Sequence, residues 1–240
     1  MAHIVLVHGA MHGAWCWERV APELAMRGHA VDAIDLPGLG GDATPAEDVT
    51  AQDWADAVAA AARRCGEPSL LVGHSLGGTA IAQAAEREPE HVLGLVFVAA
   101  IMIGDGETIL TACPETMTIA EQAAHDFPDD RRGAAMRLFY GATDPAVAEA
   151  AFHRLRPQPK AVAGSPLHLT AERFGRLKRA YIECTNDVIV PLAAQRRMQA
   201  RLPCEEVVTM QSDHSPFLCA PVELADHLDR LARRFGSVRS

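Results

Sequence analysis

Short apolar runs alternate with helical patterns along most of the chain. Ile4–Val7 reads as a strand, followed by a helix near Trp17–Arg27. His29–Leu36 reads as a second strand, closed by the turn-rich Pro37-Gly38-Leu39-Gly40-Gly41. Ala51–Arg64 is Ala-rich and helical, Ser69–Val72 is a strand, Gly77–Glu88 a helix and Val92–Ala99 a strand. Strands and helices in alternation predict βαβ units, hence a parallel sheet with helices on both faces. Strands covered on both sides need no polar alternation, which accounts for a run such as Leu95-Val96-Phe97-Val98.

The alternation then stops. From about Ile103 to Arg176 no strong strand appears, while helical patterns recur near Ile119–His125, Arg131–Tyr140 and Ala146–Leu155, before the loop Arg156-Pro157-Gln158-Pro159. A stretch this long between strands is usually functional. It predicts a helical cap of residues 103–176 inserted into a core formed by residues 1–102 and 177–240. Afterwards the pattern resumes with strand Arg179–Glu183, helix Leu192–Arg201, strand Glu205–Met210 and helix Val222–Arg234. Six strands are thus expected in one mostly parallel α/β sheet.

Composition narrows the function more than the fold. The 240 residues are 49% hydrophobic and 22% charged, enough apolar surface to build a core. The net charge is −9, and of 22 basic residues only Lys160 and Lys178 are lysines, with no basic cluster. Nucleic acid and anionic membrane surfaces both require clustered cations, so neither is expected as a partner. No apolar run reaches the roughly 18 residues of a membrane span. Cys16, Cys65, Cys113, Cys184, Cys204 and Cys219 are widely spaced, with no C-x-x-C pair, so neither a zinc site nor a redox motif is expected. The first strand starts within four residues of Met1. That leaves no room for a leader and points to a cytoplasmic protein with reduced thiols.

The strongest chemical signal is Gly73-His74-Ser75-Leu76-Gly77, a G-x-S-x-G motif directly after a strand and before a helix. In that context the serine sits on a tight turn and projects its hydroxyl at the carboxyl end of the sheet, as a nucleophile must. A serine needs a base, and the base needs an orienting acid. His214 follows the last strand by a short loop and is the expected base. Asp187, in the loop after strand Arg179–Glu183, is the expected acid; Asp213, adjacent to the base, is its rival. An oxyanion hole needs two backbone N–H groups. Leu76, just after the nucleophile, and Ala10, in the glycine-rich loop His8-Gly9-Ala10-Met11-His12-Gly13, are the candidates. His12, Phe139 and Tyr140 are candidates for contact with substrate, although tying down the loop is the favoured role for His12. Trp15 and Trp17 read as packing residues. Of Phe127, Met136, Leu138, Phe139, Tyr140 and Phe152, most are expected to form the cap's own core rather than line a pocket.

These motifs resemble the α/β-hydrolases and, more narrowly, the plant methylesterase and hydroxynitrile lyase family with its bacterial esterase relatives. The likeness is strongest at Val7–Trp17, at the serine motif, at Arg173–Arg179, at Tyr181–Asp187 and at Asp213-His214. It implies the α/β-hydrolase fold without the first two strands of larger members. It also implies Ser75, Asp187 and His214 as triad and Ala10 and Leu76 as oxyanion donors. The family's lyases resemble one another in a Thr after the first loop His and a Lys after the catalytic His. This chain has Gly9 and Ser215 there, which disfavours cyanohydrin cleavage. Gly9, with no side chain, is expected to leave room for the acyl part of an ester and for attacking water. The Ser-Pro-Phe-Leu after His214 departs from the plant methylesterases and, with the Arg- and Ala-rich composition, points to a bacterial source. The expected function is a serine carboxylesterase acting on a small-molecule ester through an acyl-enzyme, with no cofactor and no metal. A homodimer is left open. The alternatives are a hydroxynitrile lyase, a C–C bond or lactone hydrolase or perhydrolase of the same fold, and a ligand-binding receptor with a vestigial triad.

Overall fold

The computed structural model describes residues 1–237. Six strands form one sheet: β1 (His3–Val7), β2 (Ala30–Ile34), β3 (Ser69–His74), β4 (Val92–Val98), β5 (Arg179–Cys184) and β6 (Glu206–Met210). Their order is β2-β1-β3-β4-β5-β6, and all five neighbouring pairs run parallel. Because successive side chains point to opposite faces, the central strands feed two cores. Val5, Val7, Leu71, Leu95, Phe97 and Tyr181 join one apolar cluster. Ile4, Leu6, Leu70, Val72, Val96, Val98 and Ile182 join the other.

Eleven α-helices lie among the described residues. Those packed around the sheet are α1 (Ala21–Met26), α2 (Ala51–Arg63), α3 (Gly77–Arg87), α9 (Leu192–Arg201), α10 (Pro216–Cys219) and α11 (Pro221–Gly236). The first cluster takes Trp54 and Val58 of α2 and Ile81 of α3; the second takes Leu24 of α1 and Leu224, Leu228 and Leu231 of α11. Between β4 and β5 lie α4 (Ile109–Ala112), α5 (Pro114–Asp126), α6 (Arg131–Phe139), α7 (Pro145–Phe152) and α8 (Lys160–Gly164). No strand occurs in this stretch, and no helix among the described residues is long and apolar enough to cross a membrane.

The expected helix Trp17–Arg27 divides into a 3-10 turn at Ala14–Trp17 and the short α1. Pro22 lies in the first turn of α1, the one helical position where its missing N–H and fixed φ cost nothing. Helix α7 starts one residue before its expected N-terminus, at Pro145, because the Asp144 carboxylate caps the N–H groups of Ala146 and Val147. The four- and five-residue helices α4, α8 and α10 left no trace in the sequence pattern, being too short to show a 3.6-residue period. All six cysteines are free.

Strand order explains where a site can form. From β1 the chain moves outward to β2, then returns across β1 to β3, so the connections leaving β1 and β3 diverge to opposite sides. Their divergence opens a crevice at the carboxyl ends of these two neighbouring strands, the usual ligand position in an open parallel sheet. The glycine-rich loop after β1 and the serine turn after β3 both lie there.

Candidate active site

Strand β3 ends at His74 and α3 begins at Gly77, so Ser75 and Leu76 make the whole turn. Ser75 has φ +51°, a left-handed conformation that costs a side-chain-bearing residue about 1–3 kcal/mol. The surroundings hold it there. Its N–H donates to the Val98 carbonyl at 3.2 Å, and its carbonyl accepts from Gly78 and Ile101 at 3.0 and 2.9 Å. A Cβ at Gly77 would overlap the carbonyl of His8, so only glycine lets the loop after β1 pack this close.

The loops after β5 and β6 run side by side beyond the strands, with Thr185 N–H donating to Met210 O and Asn186 N–H to Ser212 O. This pairing brings Asp187 to His214. Asp187 Oδ2 accepts from His214 Nδ1 at 2.7 Å, and Asp187 Oδ1 accepts from the N–H groups of Ile189 and Val190, both at 2.9 Å. With Asp187 accepting from two backbone N–H groups on one oxygen and facing the ring with the other, the imidazole proton is placed on Nδ1. The free lone pair on His214 Nε2 then faces Ser75 Oγ at 2.9 Å. That is the arrangement by which a histidine takes a proton from a serine.

Asp213 is engaged elsewhere. Its Oδ2 accepts from Ala142 N–H at 2.8 Å and from the Thr143 hydroxyl at 3.1 Å; its Oδ1 accepts from Ser215 N–H at 2.8 Å and from the Cys219 thiol. It therefore joins the turn between α6 and α7 to the loop carrying His214. Nothing in the residue pattern pointed to this joint.

Ala10, Ser75 and Leu76 share the wall of one cavity of about 650 Å³. Neither the Ala10 nor the Leu76 N–H donates to a protein acceptor in the turns and loops among the described residues. Both are therefore available to an oxyanion formed next to Ser75. The loop carrying Ala10 is held at Met11, which has φ +64°. Met11 N–H donates to Gln158 Oε1 at 3.0 Å, and Met11 O accepts from Arg156 N–H at 2.9 Å. Gln158 is thus a positioning group for the loop that nothing in the sequence singled out.

The rest of the cavity wall is mainly apolar, and two helices build it. On α6, Arg131, Ala134, Ala135 and Leu138 form an i, i+3, i+4, i+7 stripe; on α5 the stripe is Thr116, Met117, Ala120, Ala123 and Ala124. Alanines along both stripes leave the volume empty. This alanine face was the signal in the sequence that could have revealed a pocket. Phe127, Leu138, Phe139 and Phe152 all line the cavity. The expectation that most of the six large cap residues form the cap's own core is therefore corrected, since short helices over a sheet end turn their apolar faces inward.

Phe139 reaches the cavity wall, whereas His12 and Tyr140 lie behind it. His12 Nδ1–H donates to Ala10 O at 2.7 Å, and the Tyr140 hydroxyl donates to His12 Nε2 at 3.0 Å. Trp15 stacks on His12 with ring centroids 5.2 Å apart, and Trp17 is fully buried. His12 thus ties the oxyanion loop to the end of α6. Gly9 also differs from expectation. A Cβ there would lie 2.6 Å from the Cβ of Ser75 and 3.0 Å from His74 Nδ1, so the space beside Gly9 is filled by the serine turn and is not open to an acyl group.

Three buried histidines carry a testable consequence. Desolvation lowers His8 to about 4 and His12 to about 3, and pushes His74 well below the ordinary histidine value. In the unfolded chain each titrates near 6.5. Between the folded and unfolded values the unfolded state binds more protons, so stability is full above about pH 6.5 and is lost as pH falls. Each histidine contributes a slope of up to about 1.4 kcal/mol per pH unit. The urea midpoint is expected to fall clearly between pH 7 and pH 5, before most carboxylates protonate. An unchanged midpoint over that window would contradict the neutral assignment.

Residues 4–227 match the sequence pattern of the Alpha/beta hydrolase family. Methyl jasmonate esterase 1 of Vitis vinifera is 30% identical over 258 residues, spanning 98% of both chains. The pyrethroid hydrolase of Sphingobium wenxiniae is 30% identical over 243 residues, 93% of this chain and 85% of that one. Among solved structures, tomato methylketone synthase I complexed with 2-tridecanone superposes with a TM-score of 0.85 at 25% identity, over 98% of each chain.

Proposed function

This chain belongs to the Alpha/beta hydrolase family, and from that premise we propose that it is a serine carboxylesterase for uncharged esters with a bulky apolar group. The observation that supports the reading is the hydrogen-bonded series Asp187–His214–Ser75 meeting a largely apolar cavity of about 650 Å³. Pockets of this size hold drug-sized ligands. His214 Nε2 takes the Ser75 proton as Oγ attacks the ester carbonyl. Charge develops on the carbonyl oxygen, where the Ala10 and Leu76 N–H groups stabilise it. Asp187 stabilises the imidazolium, which then protonates the departing alkoxide, and water activated by His214 hydrolyses the acyl-enzyme. None of these steps draws on a metal or cofactor. Residues 103–176 act as the cap that walls the apolar group. A cytoplasmic, bacterial setting suits the free cysteines and the Arg-rich composition.

The names of the methyl jasmonate esterase and pyrethroid hydrolase relatives denote ester or hydrolytic chemistry, in line with this reading. Cyanohydrin cleavage is disfavoured because a leaving cyanide in a low-dielectric site needs a compensating cation, and position 215 holds a fully buried serine. A panel of p-nitrophenyl esters tests both points. Hydrolysis is expected for every member, with KM falling as the acyl chain lengthens into the cavity, and mandelonitrile is expected to release no cyanide above the buffer blank. Cyanide release that disappears in Ser75→Ala would transfer the protein to the lyases. A KM independent of chain length would remove the cavity from the binding site.

A further inference from the structure

The residue before the nucleophile makes a contact that the mechanism leaves unused. His74 is the last residue of β3 and is fully buried. Its Nε2 lies 2.7 Å from the backbone carbonyl of His214. The two imidazole rings are 4.6 Å apart at 54°, and Phe217 packs edge-on against His74 at 4.8 Å. His74 Nδ1 is buried with no hydrogen-bond partner. This settles the tautomer: a proton on Nδ1 would be orphaned and would leave Nε2 and the carbonyl as two facing lone pairs. The proton therefore resides on Nε2 and is donated to His214 O.

We propose, on the reading of His214 as general base, that His74 is a positioning residue that holds the backbone of that base in register with Ser75. His214 sits in a loop without regular structure, and Asp187 and Ser75 hold only its ring. The neighbouring Ser212 carbonyl and Asp213 carboxylate anchor the loop to Asn186 and to the turn between α6 and α7, and the His74 bond adds the contact that fixes the backbone of the base itself. His74 and Ser75 are consecutive, so one strand end sets both the nucleophile and the base, and their relative displacement is suppressed. Displacements on the order of 1 Å cost about 100-fold in rate. Burial among His8, His12 and His214 keeps His74 uncharged, so it adds no repulsion when His214 becomes an imidazolium. His74 does not line the cavity, so its effect falls on the chemical step and not on binding.

The test compares His74→Leu, His74→Gln and Ser75→Ala on one p-nitrophenyl ester. The leucine keeps bulk and loses the donor; the glutamine keeps an N–H at similar reach. His74→Leu is expected to lower kcat by about 10- to 100-fold, with KM within about twofold of native. His74→Gln should recover most of the loss. Native kcat in His74→Leu, or a glutamine variant as slow as the leucine one, overturns the proposal, as does a loss confined to KM. Activity in Ser75→Ala would instead overturn the reading of the triad. A measurement on the native protein guards against a leucine variant that fails to fold. Histidine-ring ¹⁵N spectra should show His74 as the neutral Nε2–H tautomer from pH 5 to 8, and an Nδ1–H tautomer or titration in that range overturns the proposal.

Discussion

Ser75→Ala is expected to lower kcat for ester hydrolysis by about six orders of magnitude, the loss seen when a triad nucleophile is removed. Among the described residues the hydroxyl is the group hydrogen-bonded to His214 Nε2 and so placed to attack a carbonyl, and its removal leaves oxyanion donors and cavity in place. What remains is the acceleration those donors give, roughly 10³- to 10⁴-fold over water. Stability should be little changed. The left-handed turn at Ser75 is held by backbone bonds to Val98, Gly78 and Ile101, which alanine keeps. A folded variant with more than about a tenth of native activity, far above what such a loss leaves, would show that Ser75 is not the nucleophile.

Asp187→Asn is expected to lower kcat by about 10⁴ through the wrong imidazole tautomer. The local bonding explains why. Oδ1 accepts from Ile189 and Val190, so an asparagine keeps its oxygen there and turns its amide N–H₂ toward His214 Nδ1. The ring then accepts at Nδ1, carries its proton on Nε2 and presents no lone pair to Ser75. Asp213→Asn faces different partners. From the sequence alone this change would matter little beyond a local effect on His214. The structure corrects that, because one amide group must replace an oxygen that accepts from Ala142 N–H and Thr143, or from Ser215 N–H and Cys219. A buried mismatch of this kind costs about 1–3 kcal/mol of stability. Loosening of the joint between cap and base loop should reduce activity by about tenfold or less, since the His214 tautomer is untouched. Rates and unfolding midpoints of the two variants decide between the acids; a larger rate loss at Asp213 would transfer the orienting role to it.

Much of the site was legible because its chemistry is local. Ser75 could be read from five consecutive residues set between a strand and a helix. His214 and Asp187 could be placed because a parallel sheet delivers every strand end to the same edge, so a loop position predicts a location in space. Asp213 could be set aside as the acid, but its real partners, Ala142 and Thr143, lie about seventy positions away in sequence. The same is true of Gln158 at Met11 and of Tyr140 at His12, 147 and 128 positions apart. No spacing rule connects such pairs, because a long connection closes at nearly the same entropic cost over a wide range of lengths.

The sequence by itself determined the parallel sheet, the helical stretch between β4 and β5, and the strand-end positions of Ser75, Asp187 and His214. Alternating apolar runs can be buried on both faces in few other ways, and G-x-S-x-G between a strand and a helix signals a tight turn at the carboxyl edge of the sheet. Only the tertiary structure decided which way the cap helices face, and therefore that Phe127, Leu138, Phe139 and Phe152 enclose a cavity instead of one another. It alone decided that Gly9 is pressed against Ser75 and that His74 donates to the carbonyl of His214. These outcomes depend on how separate elements dock, which is set by shape and by the pairing of buried polar groups across the whole chain. Periodicity along a strand or helix records which side of an element is buried, but not what it is buried against.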